Sequence, residues 1–107
     1  MRRVNEAIRQ VIADALAGEL ADPRLGFVTV TDVRTSPDLR SARVFVSVLG
    51  GSQERERSLV ALRSAHGPLQ RRIAAELGLK RTPKLEFAYD PTTDRALRVE
   101  ALLREQR

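Results

Sequence analysis

The sequence predicts an α+β sandwich in which helices lie on one face of a three-stranded mixed sheet. Three observations carry that expectation. Apolar residues recur at helical spacing at the N-terminus, in the middle and at the C-terminus of the 107-residue chain. Two Val-rich stretches alternate as strands on either side of Ser36-Pro37-Asp38, and a shorter alternating stretch lies near Phe87. Between the second and third strands come two helical segments, a connection long enough for parallel pairing. The length fits a single domain over residues 1–107.

Each element has its own signal. Val4, Ile8, Val11, Ile12, Ala15, Leu16 and Leu20 form the apolar stripe of a first helix, which Asp22-Pro23-Arg24-Leu25-Gly26 brings to a stop. Residues 27–35 read as a strand whose alternation through Val28 and Val30 slips by one at Val33, the mark of a β-bulge. After the turn, Ala42, Val44, Val46 and Val48 alternate with Arg43, Phe45 and Ser47. Gly50-Gly51-Ser52 ends that strand, with Ser52 expected to cap the next helix. Leu59, Val60 and Leu62 carry this helix to Ala65-His66-Gly67-Pro68, where Gly67 and Pro68 break it and Pro68 opens another. Leu69, Ile73, Ala74 and Leu77 stripe that second helix, and Gly78 is placed to end it. Leu85, Phe87 and Tyr89 form the third strand, and Ala96, Val99, Leu102 and Leu103 the apolar side of a terminal helix.

Composition excludes more than it selects. The chain has no cysteine, so disulfides, thiolate metal sites and a Cys nucleophile are absent together. His66 is the sole histidine and has no carboxylate cluster beside it, so no metal or other cofactor is expected. Ser64 and His66 do not face each other on a helix, Gly50-Gly51-Ser52 lacks the lysine and spacing of a phosphate-binding loop, and Asp90 fits a helix cap as easily as a catalytic acid. No set of catalytic roles assembles, and no enzyme is expected. Apolar runs are short and Met1-Arg2-Arg3 is followed by polar residues, so neither a membrane span nor a secretory signal is expected, and the chain reads as cytoplasmic.

The charge is concentrated. Residues 57–84 hold Arg57, Arg63, Arg71, Arg72, Lys80, Arg81 and Lys84 against the single acid Glu76, a net of +6, while the whole chain carries +5. The rest of the chain is therefore close to neutral. A localised basic surface gathers polyanions, and phosphate neutralisation supplies most sequence-independent nucleic-acid affinity. Within this stretch two helices meet at a residue without a side chain, allowing another backbone to approach. The start of the second helix offers N–H groups to a phosphate. Phe87 and Tyr89 share a strand face with Leu85 and read as core, whereas Phe45 could stack on a base or pack under a helix.

Several stretches together resemble ribosome-binding factor A, a family of bacterial small-subunit assembly factors. They are Arg3-Val4, Asp22-Pro23-Arg24-Leu25-Gly26, Asp38-Leu39 with Ala42, Val44, Val46, Ser47 and Leu49-Gly50, Ala65-His66-Gly67, and Thr82-Pro83 with Leu85, Phe87, Tyr89 and Asp90. The resemblance implies a type II KH-like fold in which an Ala-x-Gly kink, here Ala65, His66 and Gly67, replaces the Gly-x-x-Gly loop. It implies a non-enzymatic, monomeric factor that binds 16S rRNA within the free 30S subunit and supports late maturation, 5′-end processing and cold adaptation. It also implies that a small-subunit-dependent GTPase acts in release. On this reading Arg63, Arg71, Arg72, Lys80, Arg81 and Lys84 contact phosphates, Ala65 and Gly67 shape the backbone, and His66 stacks or donates a hydrogen bond. Two other readings compete: a helix-turn-helix that sets Gln70, Arg71 and Arg72 in a DNA major groove, and a protein-interaction module in which the arginines serve solubility.

Overall fold

In the computed structural model, which describes residues 2–18, 22–78, 81–92 and 102–104, α1 (Arg2–Gly18) buries Ile8, Val11, Ile12 and Ala15. Their spacing puts all four on one side of the helix. Leu20, Lys80, Ala96 and Val99 lie outside the described residues. Leu102 and Leu103 lie in a helical turn and are exposed.

β1 (Val28–Thr35) and β2 (Ser41–Val48) pair antiparallel, and β2 pairs parallel with β3 (Lys84–Tyr89), giving the order β1-β2-β3. The expected bulge is present. Val30 faces Val46 but Asp32 faces Phe45, so Thr31 is the extra residue. That insertion lets Val30 and Val33, an odd number apart, both point into the core.

The crossover from β2 to β3 consists of α2 (Ser52–Ser64) and α3 (His66–Leu77). Gly50 has φ of 121°, and a Cβ there would stand 3.0 Å from the Glu54 side chain, so this turn needs glycine twice over. The cap differs from expectation. Ser52 is the first helical residue, Gly51 precedes it, and the Gly51 N–H donates to Glu54 Oε2 at 2.9 Å. A carboxylate three residues into the helix thus satisfies the chain end without a hydroxyl at the cap. Gly78 closes α3 as expected, with φ of 60° and its N–H on the Ala74 carbonyl at 2.9 Å.

The apolar stripes of α1, α2 and α3 converge on one face of the sheet. Ile8, Ile12, Leu62, Leu69 and Ile73 are fully buried against Val44 and Val46. The opposite face is open and polar, with Arg34, Arg43 and Glu86 exposed. Phe45 lies on this open side, half-buried, with the Arg34 guanidinium 5.7 Å from its ring centre. Phe87 is core, whereas Tyr89 is half-buried beneath the Arg55 guanidinium, which lies 3.7 Å from its ring centre. Ser58, buried in α2, accepts the Gly26 N–H at 3.1 Å and pins the loop before β1 to the crossover.

Candidate nucleic-acid interface

The corner between α2 and α3 is built from one residue. Ala65 has φ of −89° and ψ of 5°, its N–H reaches the Ala61 and Leu62 carbonyls at 3.1 Å, and its own carbonyl accepts the Leu69 N–H at 3.2 Å. It therefore ends one helix and begins the next, in a conformation open to any L-residue.

The break falls earlier than Gly67-Pro68. α3 starts at His66, Gly67 is its second residue and Pro68 its third. Proline is tolerated there because first-turn N–H groups have no intrahelical acceptor. Gly67 has no positive φ, and a Cβ on it would meet only Arg71 Nη1, at 3.8 Å, an ordinary contact. The protein's own packing does not demand glycine at this position. Arg71 and Arg72 lie in the second turn of α3, beyond the first turn where a cation opposes the helix dipole most.

His66 Nδ1 lies 2.9 Å from the Arg63 carbonyl oxygen. Because a carbonyl only accepts, the hydrogen must sit on Nδ1, and the ring offers a phosphate a donor at Nε2 only when doubly protonated. The exposed ring is thus oriented by the end of α2. Arg63, His66 and Lys84 line one open groove of about 400 Å³, walled by Leu85, Glu86 and Phe87 of β3. Two hydrogen bonds hold the walls in register. Gln70 Nε2 donates to the Pro83 carbonyl at 3.1 Å, tying α3 to the start of β3. The Lys84 N–H donates to the Arg40 carbonyl at 2.9 Å, fixing β3 on the sheet.

Of the residues expected from the sequence, the structure therefore brings Arg63, His66 and Lys84 into one groove, while the Arg71 side chain reaches back over Gly67. Arg81 is exposed in the loop ahead of β3, and Lys80 lies outside the described residues. Arg72 is different: it is half-buried and its Nη1 is shielded from solvent. One helical step of about 100° separates it from Arg71 and turns it toward the fold. Glu86 carries no signal of its own in the sequence, yet it lines the groove as its acidic member. The strand alternation that exposes Lys84 also exposes Glu86, and Arg43 lies 3.7 Å from its carboxylate.

The remaining candidate chemistry resolves into structure. Asp90 accepts hydrogen bonds from the Thr92 N–H at 2.9 Å and Thr31 Oγ1 at 2.7 Å. Hydrogen bonding from Thr92 and then Thr31 lowers its pKa to about 2, the reverse of what a general acid needs. Ser64 Oγ donates to the Val60 carbonyl at 3.0 Å, away from His66. Gln70, spent on Pro83, is not presented as a base-reading side chain. Among the described residues no group of three or more His, Asp or Glu could hold a metal ion, and no helix is long and apolar enough to cross a membrane.

A sheet of this order, crossed by two helices whose corner opens beside the parallel edge strand, is a KH-like domain. The sequence profile described as ribosome-binding factor A matches residues 1–103. The chain is 45% identical over 103 residues to the ribosome-binding factor A of Beutenbergia cavernae, covering 96% of this chain and 65% of that protein. It thus spans just under two thirds of that relative's length. A solution NMR structure of a Thermotoga maritima ribosome binding factor A superposes with a TM-score of 0.74 at 36% identity, covering 81% of this chain and 83% of that one. A homology model of the Thermus thermophilus factor, fitted into a cryo-EM map of its complex with 30S, matches with a TM-score of 0.66 at 30% identity, covering 81% of this chain and 91% of that one. The chain belongs to the ribosome-binding factor A family, whose members are ribosome assembly factors and not enzymes.

Proposed function

We propose that this protein binds the free 30S subunit through 16S rRNA and assists its late maturation, including processing of the rRNA 5′ end, as a cytoplasmic monomer without catalysis of its own. The convergence of Arg63, His66 and Lys84 on one groove at the α2–α3 corner is the observation that carries this reading. Two cations and the His66 ring, from two separate stretches of chain, line the same open volume, and an RNA backbone laid along it meets all of them. Arg71 and Arg81 are exposed as well and add to the positive charge of this stretch. Family membership supports the target, and the Thermus factor was fitted into a map of its complex with 30S. Release by a small-subunit-dependent GTPase and a role in cold adaptation belong to the same proposal. Both fit an anchor that holds RNA by reversible phosphate contacts.

The test is co-sedimentation of the purified chain with separated ribosomal particles across a salt series. Binding to free 30S, weak binding to complete ribosomes and a linear fall of log affinity with log salt are expected. In an Arg63→Glu/Lys84→Glu variant the slope should shrink by about 0.7 for each single-stranded phosphate that is no longer neutralised. A slope unchanged by that variant would remove the groove from the interface.

A further inference from the structure

The pairing phase of β1 leaves one short stretch of its outer edge open. The Leu49 N–H donates to the Phe27 carbonyl at 3.0 Å and the Ser36 N–H to the Ser41 carbonyl at 2.8 Å, so these are hydrogen-bonded pairs of the hairpin. Alternation across the bulge then turns the N–H and C=O groups of Val28, Val30, Val33 and Thr35 away from β2. On the far side of β2, the Asp90 N–H on the Val46 carbonyl agrees with this phase. Edge strands are commonly closed by side chains, and the second half of this one is. The Val33 N–H donates to Asp32 Oδ1 at 2.9 Å, and the Thr35 N–H to Asn5 Oδ1 at 3.1 Å. The first half is not closed in this way. At Val28 and Val30 the only side-chain partner among the described residues is Arg9, whose Nη2 donates to the Val30 carbonyl at 3.4 Å, a long hydrogen bond from an exposed side chain.

Beside this open edge runs a groove of about 370 Å³ between β1 and α1, lined by Arg9, Ala13, Leu16, Ala17, Val28 and Val30, with Thr29. Ala13 and Ala17, four apart, keep the helix wall low, and Leu16 supplies an apolar floor. Among the described residues the lining holds one charge, the Arg9 guanidinium, and no acid. We propose that this edge accepts an extended peptide strand from a partner protein, paired with Val28 and Val30, its alternate apolar side chains over Ala13, Leu16 and Ala17 and a carboxylate on Arg9. Strand addition at a free edge takes its affinity from main-chain hydrogen bonds and its specificity from the pocket under alternate side chains. When the incoming strand's N–H takes the Val30 carbonyl, Arg9 is released to the incoming carboxylate, so the charge that shields the edge also selects the partner. This site lies on a different edge of the sheet from the α2–α3 groove and does not depend on RNA binding.

The full chain, labelled with ¹⁵N, is titrated with the synthetic peptide acetyl-Val-Thr-Val-Thr-Glu-amide, whose Val and Glu side chains share one strand face, and with its counterpart carrying Lys for Glu. Saturable shifts centred on the Val28 and Val30 amides, with the Glu peptide preferred about tenfold, as a charge-assisted hydrogen bond allows, are expected. Arg9→Glu should reverse the preference toward the Lys peptide. Val28→Pro deletes an outward N–H without touching the β1–β2 ladder, a substitution edge strands tolerate, and should abolish the shifts. Absence of shifts at millimolar peptide, equal response to both peptides, or an unchanged preference in the Arg9→Glu chain would each overturn the proposal.

Discussion

Replacing Gly67 by Ala separates the two roles a glycine can play at this corner. The residue occupies an ordinary helical position, and the added methyl would touch only the flexible end of Arg71 at 3.8 Å. Folding therefore has no steric objection, and the substitution narrows the unfolded ensemble. Gly→Ala at a compatible site stabilises by about 0.4–1 kcal/mol. For a domain near this size that corresponds to a rise of roughly 2–8 °C in Tm. Binding should move the other way. If an RNA backbone lies against the corner at van der Waals distance, the methyl takes the space a phosphate or ribose would fill. A displacement of an ångström or so at a set of phosphate contacts should then weaken 30S binding about tenfold. The assay is thermal unfolding followed by circular dichroism on one sample and co-sedimentation with 30S at fixed salt on another. Raised Tm with weakened binding is the expected pair of results. Raised Tm with affinity unchanged would show that nothing approaches Gly67, and lowered Tm would refute the backbone argument itself.

Other consequences are as concrete. Arg71→Glu should weaken 30S binding with little change in Tm, whereas Arg72→Glu should lower Tm because its side chain is half-buried; urea unfolding alongside sedimentation tells them apart. Leu62→Ala, at a fully buried position beneath the corner, should cost about 2–5 kcal/mol, measured by urea unfolding. The hydrogen bonds from the Arg24 side chain and backbone to Asp22 lower its pKa from 3.8 to about 2. A carboxylate depressed in the folded state stabilises above its ordinary value and loses that contribution as pH falls toward the folded value. Stability should therefore decline between about pH 4 and 2, and Asp22→Asn should flatten that decline in an acid-unfolding series.

Much of this protein is local and was legible as such. The stripe of Ile8, Val11, Ile12 and Ala15, the alternation of Ala42 to Val48, the phase slip at Val33 and the Gly78 stop all lie within windows of a few residues. Backbone periodicity there dictates which side chains share a face. The cationic stretch was legible for the same reason. Motif order along the chain carried the family. At the corner, however, the expected break at Gly67-Pro68 falls instead at Ala65, because a first-turn proline costs the helix no hydrogen bond and glycine there needs no unusual φ.

Tertiary structure decided the rest. Which cations act together depends on how α3 crosses β3: Arg63 and Lys84 are far apart in sequence, and only the parallel register of β3 on β2 brings Lys84 to the corner. Arg71 and Arg72 are adjacent and chemically identical, yet packing leaves one exposed and the other half-buried. Phe45 could have been stacker or core, and the packing of α1, α2 and α3 on the other sheet face leaves it half-buried. The cap on α2 came from Glu54, whose reach to the Gly51 N–H depends on a turn at Gly50 that only glycine allows. Composition and periodicity report what each residue can do. The register between distant segments determines which of those capacities meet.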